Sequence, residues 1–567
     1  EGGPGLSLAE PCLASPATFT VTLEGVSVVD PEGDPITYTV TGTPNAGDPV
    51  QATDIPSFPY SGPPTGPWSS PPVTNVRFTG FANDPLHPAA EGTPLIPDSG
   101  VVGTVGSAPF VRTVGGGLGD LGYAVSTDNA GNILVAGVFR GTVDFDPGPG
   151  SSPRTSQGEW DGFVAKFDAG GQFLWVASWG GENYDEAFAA EADPEGNVFV
   201  TGRFSSTTVD FDPGPGEEPR TNSGGYDCYA VRLDPTGNLQ WAAAWGGGGN
   251  DKSTGLALDP RGAPHMAGSF IGTVDFDPGA GTVERTSGGG SDDSFLLKLD
   301  PETGAFADLL TLGNDVSDYA EDVEFDSAGN LVLAGIFQTT MDFDPGPDVQ
   351  NRTAVGFSPY LLKLDPRFSY TWVAALGVSS SLGLTFHGLD IDPTDAVYLG
   401  SEFSIGTDFD AGPGVEPRAP VGATDAFVVK YDSMGSFQWV AAVGGGGGDW
   451  GRGVAADGEA VYLAGEFNNT VDFDPGAGSA PLTSAGSGDA YLLKLTAAGE
   501  YVWASRWGAG QQDLAYDVSL RAGCDPLTTG TFQGLVDFDP GAGTSEVSAV
   551  GSFDAFLLKL RGDTGTL

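Results

Sequence analysis

Seven copies of the sequence Asp-Phe-Asp carry the carboxylates that could do chemistry in this chain, and successive copies begin 64 to 67 residues apart. Two carboxylates in a turn, together with loop carbonyls, offer the oxygen ligands that Ca²⁺ requires, about 6–8 per ion. We therefore predict calcium as the cofactor of these loops. The candidate ligands are Asp144, Asp146, Asp210, Asp212, Asp275, Asp277, Asp342, Asp344, Asp408, Asp410, Asp472, Asp474, Asp537 and Asp539.

The geometry of one loop follows from strand alternation. If residues 143–146 are extended, Val143 and Phe145 lie on one side and both carboxylates on the other. An aspartate that precedes each repeat in phase is expected to add a ligand, whereas Leu384 and Ala411 predict a weak or empty fifth site. In the alternative interpretation, the first Asp closes its own turn through backbone N–H groups while Phe fills the gap between repeats. The added aspartates are Asp120, Asp185, Asp251, Asp318, Asp449 and Asp513.

Two further sets of residues recur in phase. A cation occurs once per repeat, and we predict that it forms an ordered ion pair between strands or between repeats. A ligand-binding ring of cations is the alternative. Tryptophans recur in five repeats, where packing between repeats is the favoured role over sugar binding. The cations are Lys166, Arg232, Lys298, Lys363, Lys430, Lys494 and Lys559, and the tryptophans are Trp175, Trp241, Trp372, Trp439 and Trp503.

Four β-type runs in each repeat must position these side chains. In the second repeat the runs are 187–193, 197–204, 227–233 and 239–245, which we name strands A, B, C and D. Asp- and Gly-containing turns join A to B and C to D. Since no amphipathic helix interrupts the runs, an antiparallel four-stranded meander is predicted. Seven such meanders predict an all-β fold, a seven-bladed β-propeller spanning residues 110–567.

Closure of the ring follows from the two ends of the repeat array. Phe110–Gly116 resembles strand D, whereas the last repeat ends after its strand C at 555–560. The polar tail 561–567 is too short for a normal strand. We therefore predict that Phe110–Gly116 completes the seventh blade and removes the open sheet edges.

Segments such as Asp554-Ala-Phe-Leu-Leu-Lys-Leu560 and Gly196-Asn-Val-Phe-Val-Thr-Gly202 resemble the bacterial SBBP-type β-propeller repeat family. The resemblance covers roughly 110–560. It implies a propeller in a secreted or surface protein and transfers no catalytic residues. The extended Asp-Phe-Asp-Pro-Gly loop departs from the shorter loop of that family, which leaves the role of the loop open.

Composition excludes several classes of function. The formal net charge of −52 repels phosphate backbones and anionic lipid, so neither nucleic-acid binding nor membrane insertion is expected. No apolar run approaches the roughly 18 residues of a membrane span. The three histidines, His87, His265 and His387, share no local context. Because the chemical groups recur in phase rather than forming a unique constellation, we predict that the protein is not an enzyme.

The cysteines and the first residue of the sequence give indications of the cellular compartment of the protein. Three cysteines are too few for a disulfide scaffold or a zinc cluster. Cys228 occupies a position that holds small residues elsewhere, and Cys12 and Cys524 could pair within or between subunits. The sequence begins at Glu1 without Met, which we interpret as a processed N-terminus. Together with low Lys and abundant Gly, this predicts an extracellular or cell-surface bacterial protein.

Residues 1–109 lie outside the repeat and form a separate β-rich arm. Strands are predicted at 18–29, 36–42 and 75–81, with a Pro- and Ser-rich linker at 55–72. The segment Asp30–Val40 resembles cadherin-like and immunoglobulin-like modules of bacterial adhesins. Three strands are few for an independent sandwich. The arm is therefore expected to dock on the propeller or to add a strand to another copy of the chain.

These observations favour a secreted structural protein whose arm joins copies into an extracellular filament or surface layer. The alternative is a glycan-binding propeller, a lectin or adhesin that uses the loop face or the channel. An enzyme is the least favoured of the three classes.

Overall fold

Runs of apolar residues separated by Asp- and Gly-containing turns fold as a seven-bladed β-propeller of four-stranded antiparallel blades, as predicted. The computed structural model describes residues 108–567 apart from 355, 378–387 and 521–524, and the backbone of Phe19–Val29 and Pro35–Gly42. The chain divides into two compact units, Glu1–Ala108 and Pro109–Leu567. In the described part of the chain, no helix has the length and apolar character that a membrane span requires.

Each blade runs from strand A to strand D. Strands A are Asp120–Thr127, Asp185–Ala192, Lys252–Leu258, Tyr319–Phe325, Gly388–Ile391, Trp450–Ala456 and Leu514–Leu520. Strands B are Ile133–Phe139, Val198–Phe204, Pro264–Ile271, Leu331–Phe337, Val397–Phe403, Ala460–Phe467 and Pro526–Phe532. Strands C are Asp161–Phe167, Asp227–Leu233, Asp292–Leu299, Ser358–Leu364, Asp425–Tyr431, Asp489–Thr496 and Asp554–Lys559. Strands D are Phe173–Trp179, Leu239–Gly247, Phe306–Leu312, Tyr370–Ala375, Phe437–Gly445, Tyr501–Trp507 and, in the seventh blade, Phe110–Gly116.

A short hairpin lies between strands B and C of every blade. Its two strands are Thr142–Asp144 and Pro153–Thr155, Thr208–Asp210 and Pro219–Thr221, Thr273–Asp275 and Glu284–Thr286, Thr340–Asp342 and Asn351–Thr353, Thr407–Asp408 and Pro417–Arg418, Thr470–Asp472 and Pro481–Thr483, and Leu535–Asp537 and Glu546–Ser548. The third blade also has a 3₁₀ turn at Gly288–Gly290. At three junctions the hairpin pairs with strand D of the preceding blade, for example Gly115 with Asp144, which extends that sheet to six strands.

The ring closes as the sequence predicted. Phe110–Gly116 pairs antiparallel with Asp554–Lys559, with Phe110 opposite Lys559 and Val114 opposite Ala555. The first sheet strand of the propeller therefore completes its last blade.

The hydrophobic core lies between adjacent blades rather than in one centre. One cluster combines Leu134 and Val164 of the first blade with Val200, Tyr229 and other side chains of the second. Each blade buries one sheet face against the blade before it and the other against the blade after it. Burial of apolar surface at every junction stabilises the ring.

In the N-terminal unit, Phe19–Val29 pairs antiparallel with Pro35–Gly42. Two of the three predicted strands are thus confirmed within about one residue. The third strand at 75–81, the linker at 55–72, and Cys12, Cys524, His87, His387 and Leu384 lie outside the described residues.

Candidate functional site

The ring has two faces with different chemistry. The B–C hairpins and the D–A loops lie on one face, which we call the hairpin face. The A–B and C–D turns lie on the other, which we call the turn face. The predicted calcium ligands lie on the hairpin face, and the repeated cations and tryptophans lie near the turn face.

In the hairpins, the predicted alternation is confirmed. Val143 and Phe145 are fully buried, whereas Asp144 is exposed. The ring of Phe145 packs 5.3 Å from that of Phe139 and 4.9 Å from that of Phe163, measured between centroids. Phe145 therefore fixes the hairpin to strands B and C, and the two carboxylates remain on the outer side.

The first aspartate closes the hairpin loop. Asp144 Oδ1 accepts hydrogen bonds from the backbone N–H of Ser152 at 2.7 Å and of Asp146 at 3.2 Å. The N–H of Ser152 and the hydroxyl of Ser151 lower the pKa of Asp144 below its ordinary value of 3.8. The long-range N–H contact recurs in every hairpin. Its partners are Ser152, Glu218, Val283, Gln350, Glu416, Ala480 and Ser545.

The second aspartate closes the next turn. Asp146 Oδ1 accepts a hydrogen bond from Gly148 N–H at 2.8 Å, and Asp146 Oδ2 lies against Gly150, where a Cβ atom would be only 2.1 Å away. A glycine fills this position in six hairpins, whereas the fourth has Asp348. The first aspartate thus performs the turn-closing role that the alternative interpretation gave it, and the second performs a similar role that was not predicted. Calcium binding by the same carboxylates remains a prediction.

The aspartates that were expected to add calcium ligands do not lie in the hairpin loops. Asp120 and the five aspartates equivalent to it are buried, and each accepts backbone N–H groups. Asp120, for example, accepts from Gly116 at 2.7 Å and from Arg140 at 3.1 Å. Among the described residues, no three or more His, Cys, Asp or Glu side chains are grouped so that they could hold a metal ion. A calcium ion at a hairpin would therefore rely on two carboxylates, backbone carbonyls and water.

Arg154 lies in the second strand of the first hairpin, and arginine occupies the equivalent position in four of the other hairpins. The guanidinium of Arg154 donates to the carbonyls of Pro153 and Val176, both at 3.0 Å. It therefore joins the hairpin to strand D of its own blade.

Near the turn face, the repeated cations form the predicted ordered ion pairs. Lys363 Nζ lies 2.7 Å from Asp326 Oδ2, and the two side chains expose only 4% and 3% of their surface. The partner is the aspartate that opens the A–B turn of the same blade. The six pairs are Lys166–Asp128, Arg232–Asp193, Lys298–Asp259, Lys363–Asp326, Lys430–Asp392 and Lys559–Asp525.

The tryptophans of strand D connect each blade to the next. Trp175 Nε1 donates to the carbonyl of Pro235 at 3.0 Å, and its indole lies on Gly237, whose φ of +87° suits a residue without Cβ. The equivalent donors are Trp241, Trp372, Trp439 and Trp503. Four of the repeated cations donate hydrogen bonds to the same carbonyls that the tryptophans contact. Lys363 Nζ, for example, donates to Ser433 O at 3.2 Å. The indoles therefore act in packing between blades, as predicted.

The tail after the last strand has a role that the sequence did not reveal. Trp503 Nε1 and Lys494 Nζ donate to the carbonyl of Gly562, and the indole of Trp503 lies on Gly565. Residues 561–567 thus supply the contacts that a C–D turn supplies to the other tryptophans. The only signal in the sequence is Gly565, which takes the place of Gly237.

A central cavity of about 310 Å³, lined by strands A of all seven blades, was also not predicted. Glu191, Asp322, Glu324, Asp390 and Asp517 line it. Burial, and then the charges of Asp517 and Asp322, raise the pKa of Glu191 to about 8. These acids could not be recognised from the sequence, because they do not recur in every repeat.

His265 is the histidine that lies within the described residues. Its ring packs against Phe325 and Phe368, and burial lowers its pKa to about 4. Cys228 is fully buried at its predicted small-residue position. Neither side chain is part of the hairpin loops.

No known protein-family model matches the chain, so the SBBP-type resemblance remains a prediction. An uncharacterized WD repeat-containing protein, L264 of Acanthamoeba polyphaga mimivirus, is 23% identical over 488 residues, which cover 72% of this chain and 35% of the relative. The regulatory protein FlaEY of Caulobacter vibrioides is 23% identical over 489 residues, which cover 81% of this chain and 48% of the relative. The chain thus spans less than half the length of either protein.

Among solved structures, quinohemoprotein alcohol dehydrogenase from Comamonas testosteroni is similar over 80% of this chain and 76% of its own, with 11% identity and a TM-score of 0.38. A structural similarity at this level supports no inference about activity. The protein is a seven-bladed β-propeller repeat protein with WD-repeat-like relatives at low identity.

Proposed function

We propose that this protein is a non-enzymatic, secreted structural protein whose propellers are joined through the N-terminal arm into an extracellular filament or surface layer. One observation carries the proposal. The polar groups that recur in most or all blades act within the ring: Asp144 closes a hairpin, Lys363 pairs with Asp326, and Trp175 connects two blades. A ring stabilised in this way is suited to be a rigid building block.

The arm supplies the means of assembly. Its described part is a sheet of two strands, Phe19–Val29 and Pro35–Gly42. A two-stranded sheet is only marginally stable in water and leaves backbone N–H and C=O groups at its edges. Addition to the sheet of another copy of the chain would satisfy those groups.

Calcium is the proposed cofactor of the hairpin face. The hydrogen bonds to Asp144 and Asp472 lower their pKa values, which keeps these exposed carboxylates ionised at neutral pH. Seven such loops on one face concentrate negative charge that a divalent cation would neutralise. The carboxylates of the two aspartates, loop carbonyls and water would be the ligands.

Negative-stain microscopy of the full chain, with calcium and with chelator, tests the assembly. We expect filaments or sheets that are lost in Val21→Pro, because proline cannot donate a strand hydrogen bond. The control Val349→Pro changes an exposed hairpin-loop residue and should leave assembly intact. Dispersed monomers at high concentration in calcium would contradict the proposal.

Calorimetric titration and elemental analysis test the metal separately. Asp146→Asn should lower the calcium stoichiometry by one site, whereas Asp300→Asn, in a C–D turn, should not. An unchanged stoichiometry, or a protein without bound calcium at millimolar concentration, would leave turn closure as the role of these aspartates.

The second candidate is glycan binding, which a groove of about 520 Å³ between the first and second blades favours. The groove is lined by the indole of Trp175, the half-exposed Leu174, and polar side chains that include Asn129 and Glu195. An aromatic surface flanked by hydrogen-bonding groups is suited to a sugar. Binding on a glycan array should be lost in Trp175→Ala and retained in Trp439→Ala. A silent array would exclude this candidate.

A further inference from the structure

Pairs of aspartates lie side by side at six junctions between blades on the hairpin face. One member opens strand C of a blade, and the other lies at the start of the next strand A. Asp185 N–H donates to Trp160 O at 2.8 Å, which places Asp185 beside Asp161, the next residue along the chain from Trp160. The pairs are Asp161/Asp185, Asp227/Asp251, Asp293/Asp318, Asp425/Asp449, Asp489/Asp513 and Asp554/Asp120.

Glycine makes room for each pair. The carboxylate of Asp161 lies on Gly180, where a Cβ atom would be 2.2 Å from Asp161 Cγ. The strand-C aspartates of the other five pairs lie on glycines in the same way, namely Gly115, Gly246, Gly313, Gly444 and Gly508. As a result, Asp161 is only 3% exposed and Asp185 is fully buried.

Three of the pairs contain a carboxylate oxygen that the protein leaves without a partner. Asp161 Oδ2 accepts the N–H of Gln157 at 2.9 Å, but Asp161 Oδ1 is buried and has no hydrogen-bond partner. The same holds for Oδ1 of Asp227 and of Asp293, which are 2% and 9% exposed. An unsatisfied buried oxygen is rare in folded proteins and calls for a physical explanation, such as a bound water, ion or proton.

The charges around these three pairs are negative or already neutralised. Among the described residues, no Lys or Arg forms an ion pair with any of the six carboxylates. Arg203 and Lys252 act electrostatically on the neighbouring Cys228, but they are paired with Glu186 and Glu321.

The two aspartates nearest the third pair, Asp292 and Asp315, add further negative charge there. Two adjacent buried carboxylates without a cation cannot both stay ionised at low cost.

A metal ion does not suit this position. Asp185 accepts four hydrogen bonds, from the N–H groups of Gly181, Ser205 and Ser206 and from the hydroxyl of Ser206. In the first pair these donors occupy the lone pairs that a cation would need. At none of the three pairs, among the described residues, are three or more His, Cys, Asp or Glu side chains grouped to hold a metal ion. The smallest ligand that satisfies the remaining oxygen is a proton on Asp161 Oδ1.

We propose that the pairs Asp161/Asp185, Asp227/Asp251 and Asp293/Asp318 each bind a proton at mildly acidic pH and so clamp adjacent blades together more firmly than at neutral pH. The clamp lies inside the ring and is independent of filament assembly, calcium or glycan.

The linkage between protonation and folding gives the direction in which stability changes with pH. Burial raises the pKa of Asp161 to about 7, and the pKa values of Asp227 and Asp293 to about 6, from an ordinary value of 3.8. The folded state therefore binds these protons more tightly than the unfolded state. The resulting stability is fully present below about pH 4 and is lost as the pH rises through about 6 to 7.

Thermal unfolding of the full chain at about pH 8 and about pH 5.5 tests the clamp. The wild-type melting temperature should be several degrees higher at the lower pH. The triple variant Asp161→Asn, Asp227→Asn, Asp293→Asn carries neutral amides at these positions. It should lose a clear part of that rise. The aspartates of the other junctions, such as Asp120, Asp449 and Asp513, and the acids of the central cavity also have raised pKa values and account for the remainder.

The matched control is Asp489→Asn. Asp489 belongs to the equivalent pair of the sixth junction. Burial raises its pKa too, but Arg506, whose Nη1 lies 2.6 Å from Asp489 Oδ2, opposes that effect. This variant should lower the melting temperature at pH 8 and remove less of the acid-induced rise than Asp161→Asn does. A triple variant that keeps the whole rise would overturn the proposal, as would a wild-type melting temperature that is flat or falls between pH 8 and pH 5.5.

Infrared difference spectroscopy of the wild-type protein with ¹³C-carboxyl aspartate keeps the proposal testable if the triple variant does not fold. The carbonyl stretch of protonated aspartic acid should grow between about pH 8 and pH 5.5. Absence of that band above about pH 5 would contradict the proposal.

Discussion

The turn face and the hairpin face use the same amino acid, aspartate, in opposite ways. Near the turn face, Asp326 lies against Lys363, and the hydrogen bonds from Lys363 and Asn330 outweigh the effect of burial and lower its pKa. On the hairpin face, Asp161 lies beside Asp185 without a cation, and burial raises its pKa to about 7. The position of a buried aspartate in the blade therefore does not determine its charge. The groups that contact its carboxylate determine it.

The two faces therefore respond to acid with opposite signs. An aspartate with a lowered pKa contributes stability above its unfolded pKa, and that contribution is lost as the pH falls below about 4. An aspartate with a raised pKa contributes stability that grows as the pH falls below about 7. Stability of the ring should be greatest where both contributions are present, near pH 5.

The largest effect should come from breaking a buried ion pair near the turn face. Lys363→Met leaves the carboxylate of Asp326 buried without its cation, which should lower the free energy of unfolding by about 3–5 kcal/mol. Urea unfolding at pH 7 measures the change. The control Arg418→Ala removes a half-exposed pair with Glu416 and should cost less than about 1 kcal/mol. Equal costs would mean that the pairs near the turn face contribute no more than surface pairs.

On the hairpin face, the glycine beneath an aspartate pair should tolerate alanine less well than the equivalent glycine of a junction without such a pair. Gly180→Ala places a Cβ atom 2.2 Å from Asp161 Cγ, and relief of that overlap should cost about 1–3 kcal/mol. The fourth blade offers a matched control, because Ser358 replaces the aspartate there and, among the described residues, none lies within 4 Å of a Cβ at Gly377. Gly377→Ala should therefore change the free energy of unfolding by less than about 0.5 kcal/mol. If both substitutions cost the same, the close approach at Gly180 is not what constrains the position.

The ring could be predicted from the sequence because the residues that indicate a blade recur seven times. Seven in-phase copies, the turns between strands and the displaced strand Phe110–Gly116 define blade number and closure without any knowledge of contacts. Side-chain partners were harder to predict. The spacing of five residues places Asp161 and Lys166 near opposite ends of strand C, but it does not indicate that Lys166 pairs with Asp128 of the A–B turn. Likewise, the acids of the central cavity occupy two positions of strand A in only two or three of the seven repeats, so the periodic signal that marks them is weak.

A smaller effect is expected at the hairpin itself. Asp144→Ala removes the acceptor for the N–H groups of Ser152 and Asp146, and since the site is exposed to water the cost should be about 1 kcal/mol. Asp144→Asn retains a carbonyl oxygen and should recover most of that stability in the absence of metal. In calcium, the Asn variant should again be less stable than wild type if the carboxylate is a metal ligand. An Asn variant equal to wild type under both conditions would assign Asp144 to turn closure alone.

A comparably small effect should come from the hydrogen bond that joins two blades near the turn face. Trp175→Phe keeps an aromatic ring on Gly237 but removes the Nε1 donor to Pro235 O, which should lower the free energy of unfolding by about 0.5–1.5 kcal/mol. Leu174→Ala, at the exposed neighbouring position, should change it by no more than about 0.5 kcal/mol. Because neither residue is titratable, both variants should retain the acid-induced rise in melting temperature. A variant of Trp175 that loses this rise would show that the two faces are coupled through the blade rather than acting independently.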